Sequence, residues 1–188
     1  MRLEEPSQRL KRLDRLYKPD PIYFVTTNTA NHKHILANEK VHNDFRKFCE
    51  NGLSRGVFVG KYVLMPDHLH LFVTFGMEYQ SALAERHRSK RNLTERAAVA
   101  AVYDRRLLFL SEWMKSLKNA LSKTLRQRKI PAPHWQKDFF DHVMRSEESY
   151  SQKWVYVAEN PVQKNLVTRT EDWPFQGEIY PLQAHGHV

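Results

Sequence analysis

Apolar and polar positions alternate along three stretches in the first half of the chain, and each predicts a β-strand. Residues 22–27 are β-branched or aromatic, 57–64 are mostly apolar, and 68–75 place alternate apolar side chains on one face. Pro66 and Asp67 favour a tight turn between the second and third stretches. These two strands are therefore predicted to pair antiparallel.

Three other stretches have the spacing of helices. Residues 39–53 carry apolar side chains every three or four positions after Asn38, a residue that favours the helix N-cap. The same spacing covers 107–128 and ends at a Pro-Ala-Pro segment, which cannot continue a helix. Ser146 favours the start of a last helix, which is predicted to end just before Pro161.

This order of elements, with an extended segment before the last helix, predicts an α+β fold: an antiparallel sheet with helices packed on one face. Residues 1–20 are predicted to form a basic N-terminal arm, 21–176 the folded domain, and 177–188 a C-terminal tail. Within the domain, 77–105 is rich in arginine and predicts a partly helical basic insertion. That insertion is either a DNA-contacting lobe or a solvated excursion.

Length and composition restrict the class of protein. A chain of 188 residues suits one domain with one core. No apolar run reaches the length of a membrane span, and the first residues lack a secretory signal. Cys49 is the single cysteine, so no internal disulfide forms, and the cytoplasm is the expected location.

The chain carries a formal net charge of +9. Such an excess favours a polyanionic partner, and nucleic acid is the commonest one. A membrane is not expected as the partner, because the chain has no apolar anchor. Charge alone distinguishes neither DNA from RNA nor binding from catalysis.

A histidine pair at the start of the third predicted strand is the main candidate for chemistry. Side chains alternate along a strand, so His68 and His70 share one face while Leu69 and Leu71 share the other. Two adjacent neutral imidazoles are suited to a divalent metal ion. The alternative is a half-buried pair that only forms hydrogen bonds with its neighbours.

Two further His-x-His triplets carry less weight. His32 and His34 lie in a polar stretch that predicts a loop, and His185 and His187 flank a glycine in the predicted tail.

The last predicted helix offers a second constellation. Tyr156 and Asn160 are four residues apart and share one helix face. An asparagine carbonyl is a hard oxygen ligand that suits Mg²⁺ or Mn²⁺, and a tyrosine can attack a phosphodiester to form a covalent phosphotyrosine. Alone this pair is a weak signal of function, since most helical tyrosines are structural and asparagine before proline commonly marks the end of a helix.

Several segments together resemble the IS200-like single-tyrosine transposases. Residues 65–71 (MPDHLHL) resemble their His-hydrophobic-His (HUH) motif, and 154–162 (WVYVAENPV) resemble the nucleophile helix of the REP-associated relatives. Residues 113–118 and 135–145 are similar to two further family segments, and 172–174 (DWP) to a common family ending.

The resemblance covers roughly residues 20–175 and implies a ferredoxin-like sheet. It implies that His68 and His70 bind Mg²⁺ or Mn²⁺ and that Asn160 completes the metal site. It implies that Tyr156 is the nucleophile. The implied substrate is single-stranded DNA beside a REP-like hairpin, cleaved to a 5′-phosphotyrosine and a 3′-hydroxyl. Monomer and homodimer both stay open.

Contacts to DNA are predicted at three basic residues, Lys115, Lys118 and Arg145, each of which could instead be ordinary solvated surface. Phe139 and Phe140 could stack on unpaired bases, although packing in the core is the expected alternative.

The chain departs from the family pattern in two places. Asp67 stands where asparagine is common, and strand parity predicts that it points away from the histidine pair. The insertion at 77–105 is longer and more basic than the family leads us to expect.

Three rival functions remain possible: a non-catalytic protein that binds hairpin DNA or RNA, a metal-dependent hydrolase that uses water, and an enzyme that acts on RNA. If Tyr156 is not the nucleophile, Tyr150 is the next candidate.

Overall fold

The structure is a computed structural model that describes residues 21–88 and 100–182. Its strands and helices, in chain order, are β1 (Ile22–Asn28), α1 (Glu39–Glu50), β2 (Val57–Leu64), β3 (His68–Phe75), α2 (Met77–Arg88), α3 (Ala100–Gln127), β4 (Phe140–Met144), α4 (Glu147–Ala158), α5 (Asn160–Gln163) and β5 (Gln176–Glu178). Short 3₁₀ turns add Ala30–His32, Leu53–Arg55 and Thr170–Asp172.

The five strands form one sheet in the order β4-β1-β3-β2-β5, and every neighbouring pair is antiparallel. The first four strands, with α1 and α3 as the crossovers, have the ferredoxin-like βαββαβ arrangement. The predicted α+β, ferredoxin-like fold class is therefore confirmed. β2 and β3 pair antiparallel, as the tight turn between them predicts.

The face of β3 that carries Leu69 and Leu71 is covered by two helices. α1 buries its apolar stripe there, including Val41 and Phe45, and α3 buries six further side chains against the same core. Those six are Leu110, Trp113, Met114, Leu117, Leu121 and Leu125. These two helices share one face of the sheet, as predicted.

The opposite face is covered by α4, which the prediction of helices on one face did not anticipate. Tyr150 of α4 lies over Phe72 of β3, with ring centroids 4.6 Å apart, and Val157 is fully buried in the same cluster. The physical reason lies in β1, where Ile22 and Phe24 are apolar on this second face and need cover as well. α4 therefore lies on the face that carries the histidine pair.

Other boundaries differ modestly from the predicted ones. α1 ends at Glu50 instead of residue 53. α3 begins at Ala100 instead of residue 107, because the alanines at its start have a high helix propensity. Residues 1–20, 89–99 and 183–188 lie outside the described residues, so the predicted arm, the middle of the insertion and the His185/His187 triplet do too.

The predicted tail begins inside β5. Gly177 and Glu178 pair with Tyr62 and Lys61 of β2, so the sheet continues past residue 176. A Cβ on Gly177 would lie 3.1 Å from the Tyr62 hydroxyl, so glycine allows this close approach. A three-residue strand without apolar alternation gives no sequence signal. The division of the chain into arm, domain and tail stays a prediction.

No helix in the described ranges, 21–88 and 100–182, is long and apolar enough to cross a membrane.

Candidate active site

Two imidazoles meet at the start of β3. The rings of His68 and His70 lie on the same face, with centroids 4.7 Å apart and planes at 78°. Leu69 and Leu71 are fully buried on the other face. The His68 side chain keeps 16% of its surface exposed, so the pair is open to a small ligand.

Each imidazole is held through its Nδ1 atom. Nδ1 of His68 lies 2.6 Å from a carboxylate oxygen of Asp67, and Nδ1 of His70 lies 2.7 Å from the hydroxyl of Thr26. Within the part of the chain that the structure describes, neither Nε2 atom has a hydrogen-bond partner. Histidines that bind metals usually donate the other ring N–H to such an acceptor. Both Nε2 atoms are therefore free to act as ligands.

His70 is held in its neutral form. Burial is the largest cause that lowers the pKa of His70, and the neighbouring His68 and Lys153 act in the same direction. Against the smaller opposing effect of Asp67, they bring this pKa to about 3. A neutral imidazole is the form that binds a metal ion.

The structure corrects the predicted direction of Asp67. Its carboxylate does not point away from the pair but contacts Nδ1 of His68 at 2.6 Å and Nδ1 of His32 at 3.1 Å. Asp67 precedes β3, so the alternation of strand side chains does not apply to it. Burial raises the pKa of Asp67, but the hydrogen bond and charge of His68 and the hydrogen bond of His32 outweigh it and lower the pKa.

His32 belongs to the same polar cluster, although its triplet was predicted to be an ordinary loop. Asn31 and His32 have φ of 56° and 51°, in the left-handed region that asparagine and histidine tolerate better than most residues. This backbone turns the His32 ring toward Asp67, and its Nε2 lies 3.4 Å from Nε2 of Gln136. His34 is exposed.

Tyr156 lies on the same side of the sheet as the histidines and is 56% exposed. The ammonium of Lys153 lies 5.4 Å from the Tyr156 ring centroid and 4.8 Å from that of Phe24. Phe24 in turn stacks on His70, with centroids 5.6 Å apart and planes at 21°. This chain of contacts links the tyrosine to the histidine pair.

Lys153 is a site residue that sequence reasoning missed, because one lysine on an amphipathic helix has no distinguishing signal. Its ammonium forms no ion pair with a carboxylate among residues 21–88 and 100–182. The site therefore has an unneutralised positive charge between its tyrosine and its imidazoles.

Asn160 lies just beyond α4, as the first residue of α5. Glu159 keeps helical dihedral angles between the two helices, so Asn160 still follows Tyr156 by about one turn. Its amide nitrogen donates to the carbonyl of Val157 at 3.1 Å, and it makes no hydrogen bond to either histidine.

The side chains fit a divalent metal only as a mixed ligand set. No group of three His, Cys, Asp or Glu side chains in the described ranges is arranged to hold a metal ion. The two free Nε2 atoms would supply two ligands to such an ion, and an amide oxygen such as that of Asn160, water or substrate phosphate would supply the rest.

The side chain of Lys118, one of the predicted DNA contacts, forms its hydrogen bonds within the protein. Its ammonium donates to three backbone carbonyls, those of Gln136 at 2.9 Å, Lys137 at 3.4 Å and Asp138 at 3.1 Å. Burial lowers the pKa of Lys118. Its three N–H donors thus hold the 136–138 segment against α3, which is a structural role. A phosphate contact of Lys118 stays a prediction.

The other two predicted contacts are exposed. Lys115 lies on α3 and lines a groove of about 710 Å³ between that helix and residues 132–141, and Arg145 lies between β4 and α4. That groove has neither His68 nor Tyr156 in its lining.

No family model matches this chain. An uncharacterized protein of Haemophilus influenzae is 23% identical over 157 residues, which cover 78% of this chain and 83% of that protein. Among solved structures, a REP-associated tyrosine transposase bound to a REP hairpin is 16% identical, with a TM-score of 0.54 over 100% of this chain and 99% of that one. A candidate transposase of Deinococcus radiodurans is 13% identical over 82% of this chain and 95% of that one, and its TM-score of 0.44 carries no argument.

Proposed function

We propose that this chain, which has the fold of a REP-associated tyrosine transposase, is a metal-dependent transposase or endonuclease that cleaves single-stranded DNA beside a hairpin. One observation carries the proposal. The imidazole pair and the exposed Tyr156 lie on the same sheet face, joined through Phe24 and Lys153. A nucleophile, a cation and two metal ligands are parts that suit metal-assisted cleavage of a phosphodiester through a covalent intermediate.

The metal is proposed to be Mg²⁺ or Mn²⁺, held by His68, His70 and Asn160. When bound, it would polarise a phosphate oxygen and offset the negative charge that develops on phosphorus. Asp67 and Thr26 hold the two imidazoles with their Nε2 atoms free.

Tyr156 is proposed to be the nucleophile. Its phenolic oxygen attacks phosphorus, forming a P–O bond to tyrosine and breaking the P–O bond to the 3′ oxygen of the upstream nucleotide. The leaving oxygen takes a proton and becomes a 3′-hydroxyl, and the phenol proton passes to solvent at this exposed position. The downstream strand stays on the protein as a 5′-phosphotyrosine. Lys153 offsets the negative charge of the attacking oxygen.

A DNA hairpin is proposed as the recognised element because the solved transposase is bound to a REP hairpin and this chain carries a net charge of +9. A cytoplasmic location and a monomeric or homodimeric state stay predictions.

A labelled hairpin oligonucleotide with single-stranded flanks tests the proposal. The label is placed at the 3′ end, since the downstream fragment is the one that stays on tyrosine. With Mg²⁺ or Mn²⁺, we expect label to migrate with the protein on a denaturing gel.

The adduct should disappear in Tyr156→Phe and persist in Tyr150→Phe, a buried tyrosine of the same helix. Tight binding without any adduct would instead identify a non-catalytic hairpin-binding protein, and cleavage without an adduct would identify a hydrolase that uses water. An adduct in Tyr156→Phe would mean that another residue is the nucleophile.

A further inference from the structure

Two adjacent phenylalanines, Phe139 just before β4 and Phe140 as its first residue, have opposite environments. Phe139 packs against the α1/α3 core, beneath the ammonium of Lys118. Phe140 is 58% exposed, although it is a large apolar residue at the beginning of a strand. Because side chains alternate along a strand, the exposed ring lies on the sheet face that carries His70.

Strand register places Phe140 in line with the site. Thr26 of β1 is the partner of Phe140 on one side and of His70 on the other. The three residues therefore form one row across neighbouring strands, with His70 and Phe140 roughly 10 Å apart at their backbones. Phe24 fills the space beside this row, stacked on His70 at 5.6 Å and edge-on to Phe140 at 6.5 Å.

The charge beside this row is positive. The ammonium of Lys153 lies over the Phe24 ring, 4.8 Å from its centroid, and pairs with no carboxylate in the described ranges. A free cation and an exposed aromatic ring thus both contact one buried ring, that of Phe24. That pairing is complementary to a nucleotide, which offers a phosphate to the cation and a planar base to the ring.

We infer that Phe140 is the stacking platform for an unpaired base of the DNA strand whose phosphate lies at Lys153 and the histidine pair. The inference rests on the proposed function and deepens it. An unpaired base suits the ring, because the faces of paired bases inside a duplex are covered by their neighbours. The protein would then hold the strand to be cut partly by a contact that is tolerant of sequence.

The test uses the full chain with Tyr156→Phe, so that DNA binds without being cut. A hairpin oligonucleotide carries 2-aminopurine at one flanking single-stranded position at a time. We expect one position at which protein binding changes the fluorescence of 2-aminopurine and Phe140→Ala abolishes the change. The same variant should raise the Kd for the flanked hairpin by about 5-fold to 150-fold and leave the Kd for a hairpin without flanks unchanged.

Val143 is the matched control, because it is an exposed apolar residue of the same strand on the opposite face. Val143→Ala should leave the fluorescence change and the Kd for the flanked hairpin unaltered. Phe140→Trp, which keeps an aromatic ring, should show the fluorescence change and the low Kd that Phe140→Ala lacks. Equal Kd values for Phe140→Ala and Val143→Ala would overturn the inference. So would a change in sedimentation of Phe140→Ala alone, which would mean that the ring contacts a second copy of the chain.

The two proposals fail in different ways. A wild-type protein that forms the tyrosine adduct while Phe140→Ala binds DNA normally refutes the stacking platform alone. A wild-type protein that binds no hairpin oligonucleotide refutes both.

Discussion

The carboxylate of Asp67 lies 2.6 Å from Nδ1 of His68, the residue that directly follows it in the chain. Its second oxygen lies 3.1 Å from Nδ1 of His32, which comes from a different loop. Asp67 therefore fixes the orientation of the His68 ring while its own position is fixed by His32. The His68 Nε2 atom points away from this pair of contacts and is left for a ligand.

Asp67→Ala should weaken metal binding without unfolding the protein. Loss of the partner that orients a ligating histidine typically costs 10-fold to 100-fold in metal affinity, and we expect about that loss for Mn²⁺. Titration followed by the electron paramagnetic resonance signal of free Mn²⁺ measures it. Asp67→Asn keeps an oxygen acceptor and should lose less. The exposed His34 provides the control His34→Ala, and an unchanged Mn²⁺ affinity in Asp67→Ala would contradict the orienting role.

Lys153→Met should slow formation of the covalent adduct. The substitution keeps a long unbranched side chain over Phe24 and Tyr156 but removes the charge that offsets the attacking oxygen. We expect the initial rate at saturating DNA to fall by about 100-fold, with Lys153→Arg recovering most of it. Lys164→Met, at an exposed lysine, serves as the comparison and should react at the wild-type rate. Equal rates for both methionine variants would remove Lys153 from the mechanism.

Lys118→Ala should destabilise the fold instead of only weakening DNA binding. The change leaves three backbone carbonyls of residues 136–138 without their donor, so the free energy of unfolding should fall by about 1–3 kcal/mol. Urea denaturation followed by circular dichroism measures this difference. If the unfolding midpoint stays at the wild-type value, the contacts of Lys118 are energetically neutral.

Lys115→Gln should have the opposite profile. Lys115 is exposed on α3, so its loss should change the free energy of unfolding by less than about 0.5 kcal/mol. If it contacts a phosphate, the slope of log K against log salt concentration for hairpin binding should become shallower by about 1. Binding titrations between low and moderate salt give the slope. An unchanged slope would assign Lys115 to ordinary solvated surface.

The alternation of apolar and polar residues in the strands and the N-cap residues of the helices made much of the fold predictable. The pattern of 68–75 places Leu69 and Leu71 in the core and both histidines on the other face, as the structure has them. Asn38 caps α1 by accepting from the Val41 amide, and Ser146 caps α4 by accepting from the Ser149 amide. These signals are local, so the sequence contains them in full.

Tertiary contacts made the rest unpredictable. Asp67 turns toward His68 because it lies in a turn, where strand parity does not hold, and His32 reaches it only through two left-handed residues. In the sequence Lys118 has the pattern of a surface lysine, and only the tertiary contact with residues 136–138 gives its ammonium a structural role. Phe139 and Phe140 look alike in the sequence, and only the register of β4 separates the packed ring from the exposed one.

The two histidines of β3 have chemically different hydrogen-bond partners. Nδ1 of His68 contacts the anionic carboxylate of Asp67, whereas Nδ1 of His70 contacts the neutral hydroxyl of Thr26. An anionic acceptor makes the first imidazole the more basic electron donor. The Nε2 atoms of His68 and His70 would consequently bind a cation with different strengths. Mutations that exchanged the two hydrogen-bond acceptors, Asp67 and Thr26, would not restore an equivalent metal site.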